Sequence, residues 1–259
     1  MNIVVLVKQV PDTWAERKLN DSDKTLDRAS VDVVMNEIDE YAVEEALRIK
    51  EAQGGEVTIL TMGPERAVET IRKALSMGAD KAVHLSDEAL HGSCVIQTSY
   101  AIAKVLETLE YDLLICGSES TDARLAVMAP LLSERLGLPQ LSGARKLTVA
   151  DGKATIERQT ENGYDVVEAS TPAVVSVVEK INEPRYPSFK GIMAAKSKPL
   201  TTLTIADAGI EADKVGLANA TSQVSEFSTR PPRQAGQIVK DEGDGGAKVA
   251  EFLASQKFV

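Results

Sequence analysis

The sequence predicts an α/β fold, a mostly parallel sheet flanked by helices, on three observations. Short apolar runs rich in β-branched residues alternate with stretches of helical periodicity as far as Gly137. The runs are apolar almost without interruption, as strands covered on both faces must be. Strand and helix follow one another at lengths that suit βαβ units.

The elements follow in order. Residues 3–7 form the first strand, ended by Lys8-Gln9-Val10-Pro11-Asp12-Thr13, and the chain then reads as polar and irregular to Ser30. Asn36 is placed to cap a helix over 37–53, with Asp39 and Glu40 in its first turn. Ile38, Ala42, Val43, Ala46, Leu47 and Ile49 give that helix one wide apolar face, and Gly54-Gly55 ends it. A second strand covers 57–62. Gly63-Pro64 opens the next helix, with proline at a tolerated first-turn position, and Gly78 closes it. The third strand spans 81–85. Ser93 caps a helix whose buried side includes Ile96, Ala103 and Leu106. A fourth strand over 113–116 ends at Gly117. After Ser118-Glu119-Ser120-Thr121-Asp122 a helix runs to Leu136. Past Gly137 the pattern changes to a hairpin, 144–149 and 153–159 around Asp151-Gly152. A second turn at Glu161-Asn162-Gly163 leads into 164–169, and 173–178 is a last hydrophobic strand.

The chain has 259 residues, 43% of them hydrophobic, enough for one large domain with an extension. A net charge of −10 argues against a nucleic-acid binder, which needs a basic stripe, but leaves room for one nucleotide held by backbone N–H groups. Cys94 and Cys116 lie in unrelated elements, read as buried apolar residues, and imply no disulfide framework. No apolar run reaches membrane-span length, and the first strand begins at the N-terminus without a signal or transit segment. A cytoplasmic location without membrane insertion is the expectation.

In an open parallel sheet, ligands sit beyond the carboxyl ends of the strands. The loops there are 8–13, 62–64 and 117–122. Gly63 and Gly117 allow close backbone approach, and the helices behind them offer N–H groups to a phosphate. Neither GxGxxG nor GxxxxGK[ST] occurs. His84 and His91 have no Cys or His neighbour at metal-ligand spacing, so no metal is expected. Ser118 and Ser120 lack a nearby base, and turn roles suffice for them. Asp122 is placed either to hold a ribose or to cap a helix at Arg124, and the residues leave both open. Asp112 and Asp165 do not form an obvious acid/base pair. No residue stands out as catalytic; a nucleotide pocket without a nucleophile, base or metal points to binding rather than turnover.

The stretch Asn182-Glu183-Pro184-Arg185-Tyr186-Pro187-Ser188-Phe189-Lys190-Gly191-Ile192-Met193 fits neither pattern. Its two prolines remove two backbone donors, and it carries two aromatics in a chain with 4% aromatic residues. One reading packs Phe189 and Ile192 onto the domain as a short helix begins at Ser188. The other makes the stretch a docking element, with Tyr186 packing the loop base and Phe189 facing a partner. From about Lys198 periodicity fades: 201–205 suits a strand, 209–220 is polar, Arg230-Pro231-Pro232-Arg233 is extended, and Val249 with Phe252-Leu253 suggests a final helix. A tail that cannot bury itself should lie on another body, and this favours the docking reading. The expected division is a domain over 1–197, including the loop 182–197, and an arm over 198–259.

These residues resemble the beta subunit of electron transfer flavoprotein over nearly the whole length. The resemblance is carried by Val7-Lys8-Gln9-Val10-Pro11-Asp12, by Met35-Asn36 leading into Ala42-Val43-Glu44-Glu45-Ala46-Leu47-Arg48, and by Gly63-Pro64. It continues through Glu69-Thr70-Ile71-Arg72-Lys73-Ala74-Leu75-Ser76-Met77-Gly78-Ala79-Asp80, Pro172-Ala173-Val174-Val175 and Asn182-Glu183-Pro184-Arg185-Tyr186 with Ile192-Met193. It implies a Rossmann-like domain of the adenine-nucleotide-binding (HUP) type. It also implies a heterodimer whose alpha subunit holds redox-active FAD, with AMP as a structural nucleotide in the beta subunit. The C-terminal arm would wrap the alpha subunit. Electrons would come from acyl-CoA and other dehydrogenases, as in fatty acid oxidation, and leave to a quinone-linked oxidoreductase of the respiratory chain.

Carried over by position, the resemblance places the nucleotide at Leu6, Asn36, Ile59, Leu60, Thr61, Met62 and Gly117, then Ser118, Glu119, Ser120, Thr121, Asp122, Ala123, Arg124, Leu125, Ala126, Val127 and Met128. It puts Thr13 and Ile38 near the partner's FAD, in place of aromatics found in some relatives. It gives docking to Tyr186, Phe189, Ile192 and Met193, with Phe189 where the family has an anchoring leucine. Two departures stand out. Ala126-Val127-Met128-Ala129 replaces a polar Asn-Gln-Thr-Gly turn, and Gln159 replaces a carboxylate that steadies the FAD domain. A flavin-bifurcating relative with FAD in the beta pocket, and a free-standing adenine-nucleotide-binding domain, are the alternatives.

Overall fold

A computed structural model describes residues 1–233, 236 and 238–258. Positions 234, 235, 237 and 259 of the expected arm lie outside the described residues. By contacts the chain divides into Met1–Ser225 and Glu226–Val259.

In the larger unit β1 (Asn2–Leu6) is followed by β2 (Gln9–Pro11) and β3 (Val33–Met35), which pair antiparallel as a separate ribbon. β2 lies in the stretch 8–13, expected only to end the first strand, and β3 follows the segment expected to be irregular. Pro11 is tolerated in it because a two-stranded ribbon is all edge. Then come α1 (Glu37–Gln53), β4 (Glu56–Met62), α2 (Val68–Met77), β5 (Lys81–Leu85), α3 (Val95–Leu106), β6 (Leu113–Gly117) and α4 (Met128–Leu136). The antiparallel strands β7 (Gln140–Ala150), β8 (Lys153–Thr160) and β9 (Gly163–Ser170) precede β10 (Ala173–Val177), α5 (Phe189–Ala195) and β11 (Leu200–Leu203).

The main sheet has the order β11-β5-β4-β1-β6-β10-β7-β8-β9, parallel from β11 to β7. The expected α/β fold is therefore observed. Strand alternation divides the core. Ile3, Val5 and Val7 pack with Ala42, Val43, Ala46 and Ile71 of α1 and α2, whereas Val4 and Leu6 pack with Ala101, Val105 and Leu132 of α3 and α4. The chain steps outward from β1 to β4 and β5, then returns to place β6 on the other side of β1. That reversal is a topological switch point at the carboxyl ends of β1 and β6, where such sheets usually form a ligand crevice.

Several local expectations change. Cys94, not Ser93, caps α3: its side chain accepts from the Gln97 amide while the Gln97 side chain accepts from the Cys94 amide. Cys94 is accordingly only half-buried rather than a core residue. Ser93 instead accepts from the Gly216 amide at 2.8 Å. Ile96 is exposed on the outer face of α3, while Ala103 and Leu106 are buried as expected. Packing also continues past residue 198, because β11 pairs with β5 and Ala208, Ile210 and Val215 are buried in the α3/α4 core. In the second unit α6 (Gly245–Ser255) is the final helix, and it leaves Val249 and Phe252 exposed.

Candidate functional site

The first turn of α1 lies against the loops leaving β1 and β6. Asn36 occupies the N-cap position but makes no side-chain capping bond, contrary to expectation. Its amide is spent on the β6 loop: Nδ2 donates to the Glu119 carbonyl at 2.9 Å and Oδ1 accepts from the Thr121 amide at 3.0 Å. Its own backbone amide donates to the Lys8 carbonyl at 2.9 Å. One buried residue thus ties both loops to the helix.

Asp122 makes the second tie. Its carboxylate, 2% exposed, accepts from Lys8 Nζ at 2.8 Å and from Arg28 Nη2 at 2.6 Å. Ser120 Oγ accepts from Lys8 Nζ at 3.2 Å, and Arg28 Nη1 also donates to the Gln9 carbonyl. Burial alone would raise the Asp122 carboxyl, but the charges of Lys8 and Arg28 outweigh it and hold the group well below the usual carboxylate range. The carboxylate is held by two cations, and the cap reading of Asp122 is overturned because no helix begins at Arg124: α4 starts at Met128.

The helix starts later because the backbone between Asp122 and α4 is not helical. Arg124 and Ala126 have φ of 51° and 53°, the left-handed region that non-glycine residues seldom adopt. Such strain persists only where the surroundings over-determine it, and it clusters at binding sites. Here the Arg124 amide donates to the Ser120 carbonyl at 2.8 Å, closing the turn. Among the described residues the amides of Leu125, Ala126 and Val127 donate to no protein acceptor. Successive amides in left-handed turns form concave anion receptors. The buried Thr121 hydroxyl oxygen has no hydrogen-bond partner among the described residues.

The residues expected to hold a nucleotide are not equivalent. The side chains of Leu6, Ile59, Leu60 and Thr61 are buried in the sheet, with Thr61 Oγ1 donating to the Val7 carbonyl at 2.9 Å. Only backbone atoms there are available to a ligand. Met62, Gly117, Ser118, Glu119, Ser120, Thr121, Val127 and Met128 are half-buried, whereas Ala123, Arg124, Leu125 and Ala126 are exposed. Gly63 does not free its amide for a ligand: it donates to the Leu85 carbonyl, while its own carbonyl accepts from His84 Nε2 at 2.9 Å. Gly117 is needed for close approach, since a Cβ there would lie 2.5 Å from Asp39 Oδ1. Thr13 is exposed and Ile38 half-buried near this end of the sheet. Sequence reading missed Lys8, Arg28 and Asp39 as parts of this framework; Arg28, a lone cation in a polar loop, carried no local signal.

The stretch 182–193 stands on the two helices of the other face. Arg185 donates from Nε to Glu44 Oε2 at 2.7 Å and from Nη2 to both Glu44 and Glu51, while Asn182 Nδ2 donates to Glu45 Oε2 and the Tyr41 carbonyl at 3.0 Å each. Ser188 caps α5 by accepting from the Gly191 amide at 3.1 Å, as the short-helix reading expected. The helix approaches α2 so closely that a Cβ on Gly191 would lie 2.4 Å from the Ser76 carbonyl oxygen. Arg72 Nη1 donates to the carbonyls of Ala195 and Lys198 at 2.7 and 2.9 Å. Phe189 is 80% exposed, and Ile192 and Met193 are also exposed, so the helix does not pack its apolar side down. Tyr186 is 96% exposed and does not pack the loop base, because the salt bridges of Arg185 already hold that base.

The sequence pattern described as the electron transfer flavoprotein domain matches residues 23–208. The electron transfer flavoprotein subunit beta of Mycobacterium leprae is 57% identical over 100% of this chain and 99% of its own length. The chain belongs to the electron transfer flavoprotein beta subunits. The subunit beta of Megasphaera elsdenii is 36% identical over 100% of both chains. The caffeyl-CoA reductase-Etf complex subunit CarD of Acetobacterium woodii is 36% identical over 92% of each. The flavoprotein family match takes in β4, β5, β6 with the loop after it, β10 and the α5 stretch, whereas β1 and Lys8 precede it. Among the described residues no helix is long and apolar enough to cross a membrane.

Proposed function

We propose that this beta subunit pairs with an alpha subunit carrying FAD, holds AMP in the crevice between β1 and β6, and presents α5 to dehydrogenases. The single observation that carries the nucleotide reading is the stapled loop 117–128, with its two left-handed non-glycine residues and unpartnered amides. The residues fit a nucleotide. The amides of 125–127 suit a phosphate, and the Thr121 hydroxyl has no protein partner. Ala126, Val127 and Met128 offer no polar side chain, so backbone groups replace side-chain contacts to the phosphate. Leu6 and the 59–62 strand end border the same crevice with backbone atoms.

FAD, when bound by the partner, supplies the redox chemistry of electron transfer. The beta subunit acts as a carrier scaffold, with Thr13 and Ile38 toward the partner's FAD and, of the expected arm over 198–259, the part from Glu226 onward toward the alpha subunit. Its donors are acyl-CoA and other dehydrogenases and its acceptor a quinone-linked oxidoreductase, with the subunit itself in the cytoplasm. Electron transfer tolerates small, briefly formed contacts, which suits an exposed helix of seven residues.

Nucleotide released from the co-purified heterodimer tests the reading. One FAD and one AMP per dimer is the expected result. Two FAD would replace it with the bifurcating reading, and a dimer without AMP would remove the nucleotide from the crevice. For docking, Phe189→Ala should slow reduction by an acyl-CoA dehydrogenase about tenfold, a loss of about 1.4 kcal/mol, without loss of FAD. Unchanged rates would take Phe189 out of the docking surface.

A further inference from the structure

We propose that Asp39 is a positioning residue that sets the spacing of the β1 and β6 loops, and that its ionised carboxylate is what holds the nucleotide crevice in its binding shape. The proposal rests on the nucleotide reading above and adds a residue to it.

The geometry is specific. Asp39 sits in the first turn of α1, where sequence reading gave it only a favourable interaction with the helix dipole. The side chain turns inward instead and is buried. One oxygen accepts from the Lys8 amide at 2.8 Å, at the end of β1. The other oxygen, Oδ1, lies against the Gly117 backbone at the end of β6, where the Gly117 amide favours its ionised form. Oδ1 lies so close to Gly117 that no side chain fits between them. A single carboxylate therefore bridges the two strand ends that frame the crevice. The loops anchored there carry the ties from Asn36 to Thr121 and from Lys8 to Asp122.

No cation neutralises this carboxylate. Lys8 offers its amide, while its ammonium is directed to Asp122 and Ser120. The titratable groups facing Asp39 are Lys8 and Cys116. Burial lowers the Lys8 ammonium, and burial together with Asp39 pushes the Cys116 thiol up to about 12. Burial dominates at Asp39 too and pushes its carboxyl up to about 7, against the opposing bonds from Lys8, Asn36 and Gly117. Protonation turns one acceptor oxygen into a donor, so one of the two amides loses its partner. Asparagine would mimic that state, with one acceptor oxygen and an NH₂ facing an N–H.

The sign follows from linkage. A carboxyl whose folded value lies above its unfolded value of 3.8 contributes stability that is full below pH ~4 and lost as pH rises through about 7. Stability and binding geometry thus oppose each other: the ionised form costs folding free energy and orders the crevice.

The test is AMP affinity of the nucleotide-stripped heterodimer from pH 5.5 to 8.5, wild type beside Asp39→Asn, with thermal midpoints measured without nucleotide. AMP titrates its own phosphate in both proteins, so the difference between them is the readout. Wild type should lose about tenfold more affinity than the variant between pH 8 and 5.5, and the variant at pH 8 should resemble acidic wild type. The variant's midpoint should lose the decline that wild type shows from pH 5 to 8. Equal affinity profiles for the two proteins would overturn the proposal while leaving AMP in place. Absence of AMP binding to wild type at every pH would overturn the nucleotide reading and the proposal with it. Should the variant fail to fold, adenosine, which carries no titrating phosphate, replaces AMP on the wild-type heterodimer: adenosine affinity that falls about tenfold between pH 8 and 6 supports the proposal, and affinity that does not fall sinks it.

Discussion

Asp122→Ala is expected to destabilise the protein by about 2–3 kcal/mol at neutral pH and to abolish AMP retention. Breaking a buried ion pair by removing one partner typically costs about 3–5 kcal/mol, because the remaining charge is left uncompensated. The lower figure applies here because the partners are not fully buried: the side chains of Lys8 and Arg28 are 39% and 36% exposed and can rehydrate. The functional loss should exceed the stability loss. Without Asp122, Lys8 and Arg28 no longer tether the loop on which Arg124 and Ala126 hold their left-handed conformations.

The pH dependence separates this from a generic packing defect. The Asp122 carboxyl lies below its ordinary value of 3.8, so its contribution is complete above pH ~4 and disappears as pH falls further. The difference in thermal midpoint between wild type and Asp122→Ala should therefore be large at pH 7 and shrink toward pH 2–3. A difference that stays constant over that range would mean that the ion pairs do not stabilise the loop.

Arg185→Ala should cost about 1–2 kcal/mol and release the stretch 182–187 from α1. Glu44 has only 4% of its side chain exposed; burial would raise its carboxyl, yet Arg185 and Arg48 hold it below the usual range. With Arg185 gone, Arg48 remains at 3.0 Å, which limits the loss. Order is the larger effect. Two prolines leave the stretch with few backbone donors, and the Arg185 amide itself donates to Glu44 Oε2. Hydrogen exchange over 182–188 should rise at least tenfold while α5, held by Arg72 and Gly191, changes less. Lysine should not rescue the loop, since a point charge cannot serve two carboxylates in fork geometry. Protection unchanged in the alanine variant would show that Arg185 does not order the stretch.

Much of this molecule is written locally. The buried strands, the long helix after Asn36, the close of α2 at Gly78 and the cap of α5 at Ser188 depend on neighbouring residues, and periodicity reports them. Some local signals pointed to the wrong neighbour. Cys94 caps α3 because Gln97 completes a capping box with it, and Ser93 was the more familiar residue one position earlier. The late start of α4 had no glycine or proline to announce it; only the fixed loop tolerates positive φ at Arg124 and Ala126.

The candidate site was legible as a place but not as a mechanism of assembly. Sequence by itself determined the α/β architecture and the family, and pointed to the carboxyl-end loops as the candidate site, because hydrophobic period and motif spacing are properties of short stretches. Tertiary structure alone decided that Asn36 staples a loop 83 residues away rather than capping its helix. It alone paired Asp122 with Lys8 across 114 residues and Arg185 with Glu44 across 141, and left Phe189 and Tyr186 facing solvent. A polar side chain is satisfied by whichever donor or acceptor the fold brings within hydrogen-bond reach, and that partner has no fixed distance along the chain.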